Sequence, residues 1–328
     1  MSKSSIVLPR PWATAAGKGT KSIPAPSEAA FTAIFGTILP PASYLQTPHG
    51  KAAYYTIPPS TASPINHTNP ISRILLIHGV QTCAIGLQPL AIALSSRFPG
   101  AQIVLFDLWG HGLTDTPIAP HEPALFHALI KALMAKLEWE RAHFLGYSFG
   151  GSTTASFAAL CPEMVASMVL LAPAGLWRLE LDEVQARYMT GGDEELEEAA
   201  RTWIVQTLEG GELVVPADWK ERVARGEVVA EAVRDWEMRV HEGHAASVVG
   251  IFRDGGVRGK EAEFAEAAKR GTRSLCILGE LDDLCTEQDL NDVGFLNVKV
   301  VPQVGHGIPR QKVQEVAKLV EAFWNEIS

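Results

Sequence analysis

The chain has 328 residues, 47% of them apolar and 20% charged, with a formal net charge of −9, which is enough to bury one large core. The acidic balance argues against nucleic acid as a general partner, because phosphate binding needs a clustered positive surface. No apolar run approaches the ~18 residues of a membrane helix, and residues 1–27 lack the apolar centre of a secretory signal, so a cytoplasmic protein is expected.

Residues 1–42 read as an N-terminal arm with one short helix. The stretch 1–27 is rich in Ser, Ala, Pro, Lys and Gly. It is expected to be flexible, and Pro9, Pro11, Pro24 and Pro26 would spoil an amphipathic targeting helix. Ser27 is a natural N-cap for a helix over 27–39 that puts Phe31, Ile34 and Phe35 on one face, and Pro40-Pro41 stops it. Residues 43–47 and 51–57 form an expected hairpin around Pro48-His49-Gly50, and 58–70 is a proline-rich connector. Asn66-His67-Thr68 matches a glycosylation sequon, which has no meaning without a secretory route.

From residue 73 the pattern changes. The apolar runs 73–77, 102–106, 142–145 and 166–171 have the continuous bulk of strands buried on both faces. They alternate with helical periods over 87–98, 123–137 and 152–160, which implies a mostly parallel sheet covered on both sides. Residues 176–271 break this alternation. Acidic helical segments over 182–188, 193–208, 218–224 and 228–240 dominate, with no buried-strand signature, so the block reads as a helical cap inserted into the sheet domain. The sheet resumes at 274–278 and 298–301, and a helix over 312–327 closes the chain. The expected organisation is thus arm 1–42, core 43–175, cap 176–271 and core 272–328.

The chemistry concentrates at the ends of strands. Gly146-Tyr147-Ser148-Phe149-Gly150-Gly151 contains G-x-S-x-G between a strand and a small-residue helix, the context in which a serine is forced into a sharp exposed turn. A lone serine is a weak nucleophile and needs a base, which in turn needs an orienting acid. Gly279-Glu280-Leu281-Asp282-Asp283 follows the strand at 274–278, and Val304-Gly305-His306-Gly307 follows the strand at 298–301.

Five features in order, His78-Gly79-Val80, Asp107-Leu108-Trp109-Gly110-His111-Gly112, the serine elbow, G-E-L-D-D and V-G-H-G, resemble the α/β-hydrolase superfamily over residues 43–328. The resemblance implies an eight-stranded, mostly parallel sheet with helices on both faces and an inserted cap. It implies Ser148 as nucleophile, His306 as base and Asp282 as the acid, favoured over Asp283 and Glu280. It also implies an oxyanion hole made by the backbone N–H groups of Val80, with Gln81 as the neighbouring competitor, and Phe149. His78 and His111 are expected to be structural. Tyr147 and Trp177 are the residues chosen to contact substrate, although core packing is the alternative for both.

The expected reaction is hydrolysis of a carboxylic ester, lactone or thioester of a small to medium apolar molecule, with no metal or organic cofactor. Alternatives on the same framework are carbon–carbon bond hydrolysis, perhydrolysis, a non-catalytic ligand receptor and, more weakly, a prolyl-type peptidase. His241-x-x-His244 lacks a third metal ligand at a known spacing. Asp193-Glu194-Glu195 and Glu197-Glu198 read as a solvated helix start. Cys83, Cys161, Cys276 and Cys285 show no zinc or redox spacing, and Cys161 and Cys276 are expected to be small core residues. Oligomeric state leaves no signal in the pattern.

Overall fold

The computed structural model describes residues 6–12, 21–60 and 71–327. The sequon at Asn66 lies outside them. In chain order the elements begin with β1 (Ser22–Ile23), α1 (Glu28–Phe35), β2 (Ser43–Thr47), β3 (Gly50–Ile57), β4 (Arg73–Ile77), α2 (Gln88–Arg97), β5 (Gln102–Phe106) and β6 (Thr116–Pro117). They continue with α3 (Pro123–Lys136), β7 (Ala142–Tyr147), α4 (Phe149–Leu160) and β8 (Val165–Leu171). The inserted block holds α5 (Glu183–Thr190), α6 (Glu194–Glu209), α7 (Trp219–Ala224), α8 (Ala230–Val240), α9 (His244–Gly250) and α10 (Glu261–Lys269). The chain ends with β9 (Ser274–Gly279), α11 (Glu287–Asp292), β10 (Val298–Val301), α12 (Ile308–Gln311) and α13 (Val313–Glu326).

Eight strands form one sheet in the order β10-β9-β8-β7-β4-β5-β3-β2. The pairs from β10 to β5 are parallel, and only β3 and β2 run antiparallel at one edge. The central strands β4, β7 and β8 are buried almost throughout, as their unbroken Ile, Leu, Val and Phe runs require. Leu90, Leu94, Val320 and Trp324 from α2 and α13 fill one face. Phe126, Phe157 and Phe264 from α3, α4 and α10 fill the other. Every parallel strand therefore ends at the same rim, and the loops there bring distant residues together.

The expected elements are present with small shifts at their ends. Ser27 caps α1, accepting from the Ala30 N–H, but the helix stops at Gly36 (φ 67°) rather than reaching residue 39. The described parts of the arm, residues 6–12 and 21–27, are not free. Leu8 is buried, Arg10 pairs with Asp254 at 2.8 Å, and β1 pairs with β6. An apolar side chain and a guanidinium with matching partners on α9 and its π-helical continuation over Ile251–Gly255 outweigh the prolines around them. A second correction concerns the acidic start of α6. Asp193, Glu194, Glu195 and Glu198 are exposed, but Glu197 is buried against Arg253 at 2.7 Å. The inserted block contains no strand, and its last helix, α10, packs on α4.

Candidate active site

Ser148 occupies the turn between β7 and α4 with φ 54° and ψ −120°, a strained conformation for a residue with a side chain. The flanking glycines explain how the turn closes. A Cβ on Gly146 would meet the Gly150 carbonyl oxygen at 2.2 Å, and one on Gly150 would meet the Ile77 carbonyl oxygen at 2.1 Å. The Ser148 N–H donates to Leu171 on β8, and its carbonyl accepts from Ala174, which fixes the turn from both sides.

His306 and Asp282 arrive on the loops after β10 and β9. His306 Nδ1 lies 2.8 Å from Asp282 Oδ2, and its Nε2 lies 2.9 Å from Ser148 Oγ. The carboxylate can only accept, so Nδ1 carries the proton and Nε2 is left to accept from the serine hydroxyl. The Asp282 side chain is 1% exposed, and its second oxygen accepts from the Leu284 N–H. Its rivals are elsewhere: Asp283 is exposed, and the exposed Glu280 accepts from the Gln303 N–H. The structure thus brings Ser148, Asp282 and His306 into one hydrogen-bonded chain.

The loop after β4 passes directly over the serine. Among the described residues the N–H groups of Val80 and Phe149 make no intramolecular hydrogen bond. The Gln81 N–H, by contrast, donates to His111 Nε2 at 3.1 Å. His78 Nδ1 faces the Gly79 carbonyl at 2.6 Å and so carries the proton, while its Nε2 accepts from the Leu108 N–H at 2.9 Å. Both rings are buried and act as neutral struts between the loop after β4 and the loop after β5. Burial pushes His78 down to about 4, and burial together with His244 and its other histidine neighbours pushes His111 down as well.

A profile described as alpha/beta hydrolase fold matches residues 73–209. The chain has the α/β-hydrolase fold. Human serine hydrolase-like protein is 34% identical over 114 residues, which is 34% of this chain and 54% of that protein. A 2-hydroxy-6-oxo-6-phenylhexa-2,4-dienoate hydrolase of Comamonas testosteroni is 37% identical over 78 residues, 24% of this chain and 27% of that enzyme. The chain spans between 37% and 54% of the length of the first curated relatives it matches. Among solved structures, the enol-lactonase of Burkholderia xenovorans LB400 superposes with a TM-score of 0.62 at 19% identity, over 86% of this chain and 100% of that one.

The profile match holds Ser148 and the loop of Val80 but ends before Asp282 and His306, so the three-residue convergence rests on the coordinates. A cavity of about 70 Å³ opens at Ser148. Tyr147 and Trp177 both line it, together with Val80, Phe149, Leu208 and Val257. The Tyr147 hydroxyl also donates to the His306 carbonyl at 2.8 Å, so this ring supports the histidine loop as well as the cavity wall. Among the cavity residues that the sequence did not point to are two cations, Arg234 on α8 and Arg310 on α12. The one available signal was the position of Arg310, four residues past His306.

The roof is anchored to the loop after β5. Glu237 Oε1 accepts from the Gly112 N–H at 2.7 Å, and His241 and His244 donate to the carbonyls of Thr114 and Gly110. Ser247 Oγ donates to the Trp109 carbonyl at 2.7 Å. The two histidines are therefore spent on backbone carbonyls. Among the described residues no group of three metal-ligating side chains occurs, and no helix is long and apolar enough to cross a membrane. Cys83, Cys161, Cys276 and Cys285 are all buried and unpaired.

Proposed function

We propose that this chain is a serine hydrolase that cleaves a carboxylic ester, lactone or thioester of a small to medium substrate through an acyl-enzyme. The observation that carries this reading is the unbroken hydrogen-bonded line Ser148–His306–Asp282, ending beneath two N–H groups without acceptors. Ser148 Oγ attacks the carbonyl as His306 Nε2 takes its proton, and Asp282 stabilises the imidazolium that forms. The charge that develops on the carbonyl oxygen is received by the N–H groups of Val80 and Phe149, the latter at the start of α4. His306 then protonates the leaving alcohol or thiol, and water attacks the acyl-enzyme with the same base.

The apolar lining by Val80, Phe149, Trp177, Leu208 and Val257 suits an apolar portion of the substrate. The experiment is hydrolysis of 4-nitrophenyl esters by wild type and Ser148→Ala, with fluorophosphonate labelling alongside. Loss of turnover and of label in a folded Ser148→Ala supports the reading. Undiminished hydrolysis by that variant overturns it. A wild-type protein that is folded but neither labels nor turns over favours a ligand receptor. Carbon–carbon bond hydrolysis is kept as a second reading because of the similarity to the Comamonas enzyme. Release of a carboxylic acid from a vinylogous 1,5-diketone acid, with esters left untouched, would select it.

A further inference from the structure

The reactive cavity is lined by two cations, Arg234 and Arg310, and of these only Arg234 has an ion-pair partner. Arg310 lines it within the same ring of residues as Ser148 and His306. Its Nη1 is buried and has no hydrogen-bond partner, and it makes no ion pair among the described residues. Its guanidinium carbon lies 6.0 Å from the centre of the Tyr147 ring, and a methyl group on Gly86 would come 3.5 Å from Nη1, so the head is held between Tyr147 and the short turn before α2. Arg310 is half-buried, and its buried Nη1, left without a partner, favours something negative against it.

Each nearby carboxylate already has a partner. Asp282 is bound to His306, and Glu209 meets Arg234 Nε at 3.0 Å. Glu227 is held by Arg222 and Arg225, and Glu231 lies 3.7 Å from Arg234. Arg234 and Thr207 also line the cavity, adding a second positive head and a hydroxyl. The planar fork of an arginine fits a carboxylate with two parallel bonds.

We infer that Arg310 is a specificity-determining residue which binds a carboxylate carried by the substrate, so that the preferred ester is apolar in the middle and anionic at one end. The inference rests on the hydrolase reading above for the reaction, and on a cavity cation with a partnerless Nη1 and no ion pair for the anion. The substrate class becomes monoesters of dicarboxylic acids, or esters of carboxylated alcohols, in place of wholly apolar esters.

The test compares anionic and neutral esters of equal size within each variant, so that a general loss of folded protein cancels. Mono-4-nitrophenyl glutarate is paired with its neutral carboxamide, 4-nitrophenyl 5-amino-5-oxopentanoate, and 4-acetoxybenzoate with 4-acetoxybenzamide, to place the charge on either side of the ester. Wild type is expected to favour the anionic member of one pair by about tenfold or more in kcat/KM. Arg310→Gln should bring that ratio close to unity, and Arg310→Lys should lie between. Calorimetry with glutarate reads the subsite without turnover and should show binding weakened about tenfold in Arg310→Gln.

If no ester turns over but glutarate binds through Arg310, the hydrolase reading fails and the anion site stands. If neutral esters are hydrolysed as well as anionic ones, or a preference and glutarate binding both survive Arg310→Gln, the inference is overturned and the hydrolase reading survives.

Discussion

Gly79 and Ser148 touch so closely that a methyl group on Gly79 would lie 2.9 Å from the serine Cβ and 3.3 Å from its Oγ. Ser148 cannot retreat, because its N–H is bonded to Leu171 and its carbonyl to Ala174. The loop that carries Val80 must move instead. Gly79→Ala is therefore expected to lower kcat on the order of 100-fold through misplaced groups, with a stability loss of only about 1–3 kcal/mol from overpacking. Steady-state kinetics on a 4-nitrophenyl ester beside a denaturant titration check both numbers.

Asp282 can be separated from its neighbours by single substitutions. Asp282→Asn removes the acceptor that fixes the His306 tautomer, and kcat should fall on the order of 10³–10⁴-fold. Asp283→Asn and Glu280→Gln change exposed side chains, and each should leave kcat within about twofold of wild type. Equal losses in all three would move the acid away from Asp282.

The Glu197–Arg253 pair ties α6 to the turn after α9. Its side chains are 8% and 2% exposed, and Arg253 also donates to the Tyr188 carbonyl at 2.7 Å. Arg253→Ala leaves a buried carboxylate unanswered and should cost about 3–5 kcal/mol. A double replacement, Arg253→Met with Glu197→Leu, should cost less than the sum of the two single changes. Chemical denaturation of the four proteins measures the coupling.

Acid should destabilise this protein through its histidines. Burial pushes His78, His121 and His127 down to about 4, and burial with the charge of His241 pushes His244 down to about 3. In the unfolded chain these rings take up protons near pH ~6.5. Between about pH 6.5 and 4 the unfolded state therefore binds more protons, and stability falls as pH falls. Two carboxyls oppose this: burial pushes Asp107 up to about 6 and raises Glu237 as well. Their contribution is present at low pH and is lost as pH rises through the same window. The histidines outnumber them, so thermal midpoints should drop steadily from pH 6.5 to 4.5. A flat or rising series would show that the rings are not held neutral.

Much of this architecture was legible because strands buried on both faces carry continuous apolar runs, and because the serine elbow demands glycine at fixed positions. The choice of Asp282 was legible from its spacing, and the structure shows why its neighbours differ: they face solvent. Three things were not legible. Glu197 sits in a run of acids, and nothing local marks the one residue that turns inward to meet Arg253. Leu8 and Arg10 lie among prolines and small residues, and their partners are more than two hundred residues away. Arg310 follows His306 on another element from its cavity neighbours Thr207 and Arg234, so only the closed fold joins them. Long-range pairing of this kind has no period to read.

The four bonds from Glu237, His241, His244 and Ser247 to the loop after β5 make the two halves of the roof unequal. Lifting α8 and α9 would strip buried partners from the loop whose His111 holds the Gln81 N–H beside Val80. The end of α6, where Thr207 and Leu208 overhang the serine, is fastened by half-buried contacts and the Glu209–Arg234 pair. Thr207 and Leu208 are the positions of α6 to vary for what enters, while Glu197, Ala200 and Ile204 keep the helix seated.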